Sequence, residues 1–202
     1  MDHAAVENVI DEQEYRQVLK RMLELVSVPD GYALRHVQCQ QQNSNDVWVV
    51  RYEKDSGDNS GLGGEHYSFV VQKNNHKLLG ITWMDASLSY GNLPSKEETE
   101  ELAKSFLNKI EPGLFERLEH KWTDLHQETI HVKNRDGDHE EVIVTGMKYK
   151  CYLRDEQNYA WVIFGPGGQL ITFEQGIIWE GGRVTEKWLH DSWLEQENHT
   201  LS

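Results

Sequence analysis

The sequence predicts an α+β protein built from two tandem units, each an α-helix packed on an antiparallel β-sheet. Apolar residues at helical spacing behind an acidic capping sequence occur twice, and each time short β-rich runs separated by turn residues follow. The two occurrences also align. Asp11-Glu12-Gln13-Glu14 before Val18, Met22, Leu23 and Val26 matches Ser95-Lys96-Glu97-Glu98 before Leu102, Phe106, Leu107 and Ile110 at an offset of 84 residues. Tyr67, Phe69, Val71, Leu78 and Leu79 match Tyr159, Trp161, Ile163, Leu170 and Ile171 at an offset of 92. An insertion of 8 residues between helix and hairpin reconciles the two offsets. The units divide as 1–90 and 91–202.

The first helix is expected over residues 11–28, with Asp11 as cap, Val18, Met22, Leu25 and Val26 on one stripe, and Pro29-Asp30-Gly31 as the stop. Tyr32 to Gln42 and Val47 to Glu53 read as strands. Asp55 to Gly64, rich in glycine, serine and acids, reads as a flexible loop. Glu65 to Gln72 and Lys77 to Met84 then form a hairpin turning at Asn74-Asn75.

In the second unit Ser95 and Glu98 make a capping box, Leu102, Ala103, Phe106, Leu107 and Ile110 supply the buried face, and Pro112-Gly113 ends the helix. Leu114 to Leu118 reads as a short extra turn. Trp122, Leu125 and Ile130 are expected to anchor an otherwise polar connection, with Asn134 to Glu141 as a charged turn. Met147, Tyr149, Cys151 and Leu153 alternate with Lys148, Lys150, Tyr152 and Arg154, the signature of a half-buried strand. Tyr159 to Phe164 and Gln169 to Glu174 form a hairpin across Gly165 to Gly168. Ile177 to Trp179 and Arg183 to Trp188 add a further hairpin across Glu180-Gly181-Gly182, and a polar tail follows Leu194.

Bulk properties exclude several classes. The net charge of −14 disfavours a phosphate-binding surface, so nucleic acid and anionic membrane are not expected partners. No apolar run reaches the roughly 20 residues that span a bilayer, and the start of the chain lacks a leader pattern. The default location is cytoplasmic, or extracytoplasmic if a leader was removed. Seven Trp, eight Tyr and five Phe supply a sizeable core despite a hydrophobic fraction of 38%. Cys39 and Cys151, one in each unit, are expected as buried free thiols.

No motif carries chemistry. Gly165 to Gly168 lies between strands, without the helix N-terminus that a phosphate loop requires, and reads as a turn. No His-Glu-x-x-His motif occurs, and the closest cluster of histidines, His120, His126 and His131, reads as solvated. His190-Asp191-Ser192 places triad residue types side by side, where they point in different directions, so a terminal turn docking Trp188, Leu189 and Trp193 on the sheet is expected instead. No catalytic, cofactor-binding or metal-ligating residue is assigned. Trp179, Trp188 and Trp193 form the candidate interaction surface, since aromatics with one wet edge are favoured at interfaces.

The run from Pro94 to Leu107, together with Tyr159 to Phe164 and Gly167 to Ile171, resembles PepSY-type domains, including the YcdB- and YpeB-like repeats of Gram-positive bacteria; Tyr67 to Ile81 resembles them less closely. The resemblance implies a cystatin-like layout. It also implies a role in protein interaction or in extracytoplasmic regulation of peptidases, and it transfers no catalytic residue. The expected function is therefore a non-enzymatic binding or regulatory module that contacts a protein of unknown identity through a sheet edge or the aromatic-rich C-terminal face. The alternative is a ketosteroid isomerase-like cone, a small-ligand binder or enzyme, with Glu174 or Asp85 as its acid or base. Oligomeric state is left open.

Overall fold

Every fourth residue of helix α1 (Glu12–Leu25) and its extension is apolar: Val18, Met22 and Val26 are each at most 6% exposed. The expected cap at Asp11 lies outside the described residues; the computed structural model describes residues 12–200. Helix α2 (Lys96–Ile110) begins at a complete capping box, in which Glu98 N donates to Ser95 Oγ (3.1 Å) and Ser95 N donates to Glu98 Oε2 (2.8 Å). Thr99, Ala103 and Leu107, again four apart, are wholly buried. A single turn, α3 (Leu114–Arg117), follows.

Eight strands form one antiparallel sheet: β1 (Tyr32–Gln42), β2 (Asn45–Lys54), β3 (His66–Gln72), β4 (Leu78–Met84), β5 (Leu118–Lys133), β6 (His139–Leu153), β7 (Asn158–Phe164) and β8 (Leu170–Ile177). Their spatial order is β1-β2-β3-β4-β8-β7-β6-β5. Two four-stranded meanders thus meet through their last strands, in the register Gly80↔Glu174, Ile81↔Phe173 and Thr82↔Thr172. Both helices share one core with the sheet, where Trp48, Phe69 and Ile81 of one meander join Tyr149, Val162 and Phe173 of the other.

The opposite face carries no long helix over its middle. There each chain segment leaving a last strand crosses to the other meander. The short 3-10 turn Ala86–Ser89 after β4 packs Leu88 with Ile130, Val132 and Val144 of the β5–β6 hairpin. The segment after β8 packs Leu189 with Val47, Val49 and Val70 of β2 and β3 and ends in helix α4 (Asp191–Thr200). Among the described residues no helix is long and apolar enough to cross a membrane.

Several expectations are corrected. The expected polar connection at 118–133 is a sixteen-residue edge strand, because its long pairing with β6 satisfies the backbone that its polar side chains left unassigned. The charged turn contracts to Asn134–Asp138, closed by Asn134 N donating to Asp138 O. The hairpin expected from 177 to 188 is one isolated bridge, Trp179↔Arg183, and the expected polar tail is α4. The expected flexible loop at 55–64 is held at several points: Gly63 O accepts from His131 N (2.7 Å) and Asn59 Oδ1 from Lys133 N (2.7 Å), so the far end of β5 reaches back to it. Cys151 is buried, with its thiol pushed up to about 12 by burial, whereas Cys39 is half-buried.

The repeat register also shifts. Tyr67, Phe69 and Val71 face the helices, but Trp161 and Ile163, their counterparts at offset 92, belong to the opposite face. The ladder bulges align the two hairpins differently: Val70↔Gly80 and Val71↔Leu78 on one side, Ile163↔Thr172 and Phe164↔Leu170 on the other. The offset is thus 93 on the first strand of each hairpin and 92 on the second. The first turn is one residue longer, closing from Gln72 N to Lys77 O, against Gly165 N to Gln169 O. A one-residue slip reverses every side chain, and β7 is buried on both faces, so no polar alternation marked its phase.

Gly80 permits the seam between meanders. A Cβ there would lie 2.7 Å from Leu189 Cδ1 and 3.1 Å from Phe173 O. Gly80→Ala is expected to cost about 1–3 kcal/mol in urea unfolding. Gly182→Ala, where nothing lies within 4 Å, is expected to stay within about 0.5 kcal/mol.

Candidate functional site

The face opposite α1 and α2 is organised in rows across the sheet. One row reads Gln38, Val49, Val70, Gly80, Glu174, Trp161, Lys150 and Trp122 by strand register. The segment after β8 lies over its left and centre. Leu189 seats on Gly80, Trp188 Nε1 donates to Gln41 O (2.9 Å), and Trp193 meets Trp188 edge-on at 5.1 Å between ring centres.

Two buried arginine clusters fix this strap. Arg51 donates to both oxygens of Asp191 (2.7 and 3.1 Å) and to Glu53 Oε1 (2.9 Å), while the Gly63 and Gly61 amides complete the two carboxylates. Burial raises the Asp191 carboxyl, but His66, Arg51 and the Gly63 amide outweigh it and hold it below the ordinary range. Arg183 forms a two-pronged pair with Glu174 (2.8 and 3.1 Å), and His190 Nε2 (3.1 Å) and Trp161 Nε1 (3.1 Å) also reach Glu174 Oε2. Burial again opposes ionisation; His190 and Arg183 override it and keep Glu174 charged far into acid. This second arrangement leaves Glu174 unable to take up a proton near neutral pH.

Asp85 is equally committed. It accepts from Tyr32 Oη (2.6 Å) and Ser87 N (2.9 Å), capping the 3-10 turn, and lies 3.6 Å from Lys54 Nζ. Where the strap, the β2–β3 loop and the end of β5 meet, a polar cavity of about 100 Å³ remains, lined among others by His66, Thr82, Thr172, Glu128, His190 and Asp191. It is smaller than the roughly 300 Å³ of small-molecule sites and suits ordered water. His66 Nδ1 shares a hydrogen bond with Ser68 Oγ (2.8 Å), and burial lowers its pKa to about 4. Among the described residues no group of three or more His, Cys, Asp or Glu is placed to hold a metal; His120, His126 and His131 are spread along β5.

The right end of the row lies beyond the strap. Lys150 Nζ sits 4.8 Å from the Tyr159 ring centre, 5.0 Å from Trp179 and 5.4 Å from Trp122; Lys148 Nζ lies 4.0 Å over Trp161. Trp122 is 42% and Trp179 50% exposed. The three tryptophans singled out from sequence therefore separate: Trp188 and Trp193 are half-buried partners in the strap, whereas Trp179 stands with Trp122 around Lys150. Lys148 and Lys150 were read as the solvent side of a strand. The only available signal was their alternation with Tyr149 and Cys151, which cannot say what stands on the neighbouring strands.

The chain is similar in structure to the Bacillus megaterium YpeB C-terminal domain, at 9% identity and a TM-score of 0.40, covering 82% of this chain and 97% of that one. No family model and no curated protein matches the sequence.

The buried groups dictate how stability responds to pH. Between pH 6.5 and about 4 the unfolded chain protonates His66 while the folded chain does not, so stability falls as pH falls through that window, on the order of 3 kcal/mol. Urea titrations are expected to show this slope, reduced by about one proton in His66→Asn. Below it, protonation of Asp191 and Glu174, both lowered in the fold, removes further stability. Glu174→Gln, which strands Arg183 among buried groups, is expected to cost about 3–5 kcal/mol at pH 7.

Proposed function

We propose that this chain is a non-enzymatic binding module, built from two tandem helix-plus-meander units of the PepSY type, that contacts a protein partner through the helix-free face of its second half and the adjoining edge strand β5. The carrying observation is the half-exposed pair Trp122 and Trp179 flanking Lys150 on the part of the sheet that the strap leaves uncovered. Large aromatics with a wet edge beside an open strand edge are the features protein contacts use. The tandem reading is supported by β-bulges at matching places, between Leu34 and His36 in β1 and between His120 and Trp122 in β5.

The enzymatic cone finds less support. Helices and sheet share one apolar core, the cleft of about 450 Å³ that remains between them is lined by neither candidate acid, and both acids are held by ion pairs or caps. Glu174 and Asp85 act as structural anchors in this reading.

Affinity capture from the source organism with the double variant Trp122→Ala/Trp179→Ala tests the surface. The variant is expected to lose the partner with its melting temperature nearly unchanged, and undiminished capture sinks the proposal. Trp188→Ala and Trp193→Ala are expected instead to lower stability by about 1–3 kcal/mol, since they loosen the strap.

A further inference from the structure

Lys150 has a counterpart in the first half. In β1 the bulge after Leu34 brings His36 opposite Arg51, and in β5 the bulge after His120 brings Trp122 opposite Lys150. Arg51 and Lys150 thus hold the same place: second strand of the meander, first pair beyond the bulge, on the helix-free face. Around Arg51 the site is complete. The strap brings the Asp191 carboxylate to its guanidinium at 2.7 Å, and the edge-on pair Trp188 and Trp193 lines the same hollow. Around Lys150 stand the rings of Tyr159, Trp179 and Trp122, but among the described residues no carboxylate lies within ion-pair distance of Lys150 or Lys148.

A shortage of acids does not explain this, since the chain has 34 Asp and Glu against 20 Lys and Arg. The nearby acids are engaged elsewhere. Asp124, across from Lys148, accepts from Leu125 N (2.8 Å); Glu128 pairs with His126 (2.8 Å); Glu174 is taken by Arg183 and His190. Burial pushes Lys148 down to about 8 against the attraction of Glu174 and Glu128, neither of which lies within ion-pair distance of this second ammonium.

We infer that Lys150, with Lys148 beside it, receives a carboxylate carried by an acidic segment of a partner polypeptide, as Arg51 receives Asp191 within the chain. The inference rests on the binding-surface reading above and names what that surface takes. A polypeptide fits better than a free anion because Lys150 lies one strand inside the β5 edge. His131 N and Lys133 N on that edge are already met by Gly63 O and Asn59 Oδ1, whereas Leu125 N is met by its neighbour's side chain. An extended segment laid along residues 123–129 would displace the Asp124 side chain from Leu125 N and pair with the edge while an acidic side chain reaches over Trp122 to the two ammonium groups.

The test uses the full chain and two blocked peptides, acetyl-tetraglutamate amide and its tetraglutamine analogue, titrated at 150 mM NaCl and followed by tryptophan fluorescence and calorimetry. The glutamate peptide is expected to bind saturably and the glutamine peptide not. Lys150→Gln is expected to weaken binding at least tenfold and Lys150→Arg to retain it, with circular dichroism unchanged in both. Equal binding of both peptides, an unaffected Lys150→Gln, or no saturation by millimolar peptide overturns the inference. So does inorganic phosphate that competes as strongly as the peptide, which would make this a small-anion site. If Lys150→Gln still captures the natural partner while Trp122→Ala/Trp179→Ala does not, the carboxylate assignment falls and the surface stands.

Discussion

The structure depends on the short antiparallel seam between β4 and β8. Only Gly80, Ile81 and Thr82 meet Glu174, Phe173 and Thr172 there, yet these pairs turn two four-stranded meanders into one sheet. Each face of the seam has a separate duty. Ile81 and Phe173 lie in the core shared by both helices, and Thr82 and Thr172 hydrogen-bond side chain to side chain (2.8 Å) on the other side. Because both last strands are interior, the chain leaving each must climb off the sheet, and each departing segment covers the other meander. Leu88 and Leu189 are the two apolar anchors of that exchange, so the halves complete one another's cores.

Charge follows the same geometry. A buried ion pair contributes little net stability against a well-packed apolar pair but makes a misplaced partner costly. Arg51 with Asp191 and Arg183 with Glu174 therefore act mainly by specifying where the strap lies, with the Leu189 contacts supplying apolar burial between them. The exterior acidity of the chain is unrelated to this: its interior cations are individually matched in the first half and along the strap. Lys148 and Lys150 break the pattern, and they do so where the strap ends.

Glycine and asparagine in the β2–β3 loop show how composition misleads about order. Asp55 to Gly64 buries little apolar surface of its own, which is why it reads as flexible. Its backbone amides and carbonyls are nonetheless the partners of Glu53, Arg51, Asp191 and β5, and ordering comes from those distant groups. A local reading cannot see partners that lie up to 128 positions away.

Local chemistry was enough to locate α1 and α2, the capping box at Ser95, the β3–β4 and β7–β8 hairpins and the α+β class, because each is written in spacing and turn residues within a few positions. The docking of Leu189 was likewise legible from its apolar neighbours. The strand at 118–133 was not, since Glu, His, Lys and Thr dominate it and its pairing with β6 supplies the stabilisation that β-propensity lacks. Nor was the phase of β7, where Trp161, Val162, Ile163 and Phe164 are all buried. The candidate site lay beyond reach for a stronger reason. Lys150 becomes distinct from any other strand lysine only when β5, β7 and the segment after β8 bring Trp122, Tyr159 and Trp179 around it, and when the strap supplies Asp191 to Arg51 and stops short of Lys150. Sequence determined the elements through short-range periodicity; which side chains share a surface, and which charge is left unmatched, was decided by strand order and register across the seam.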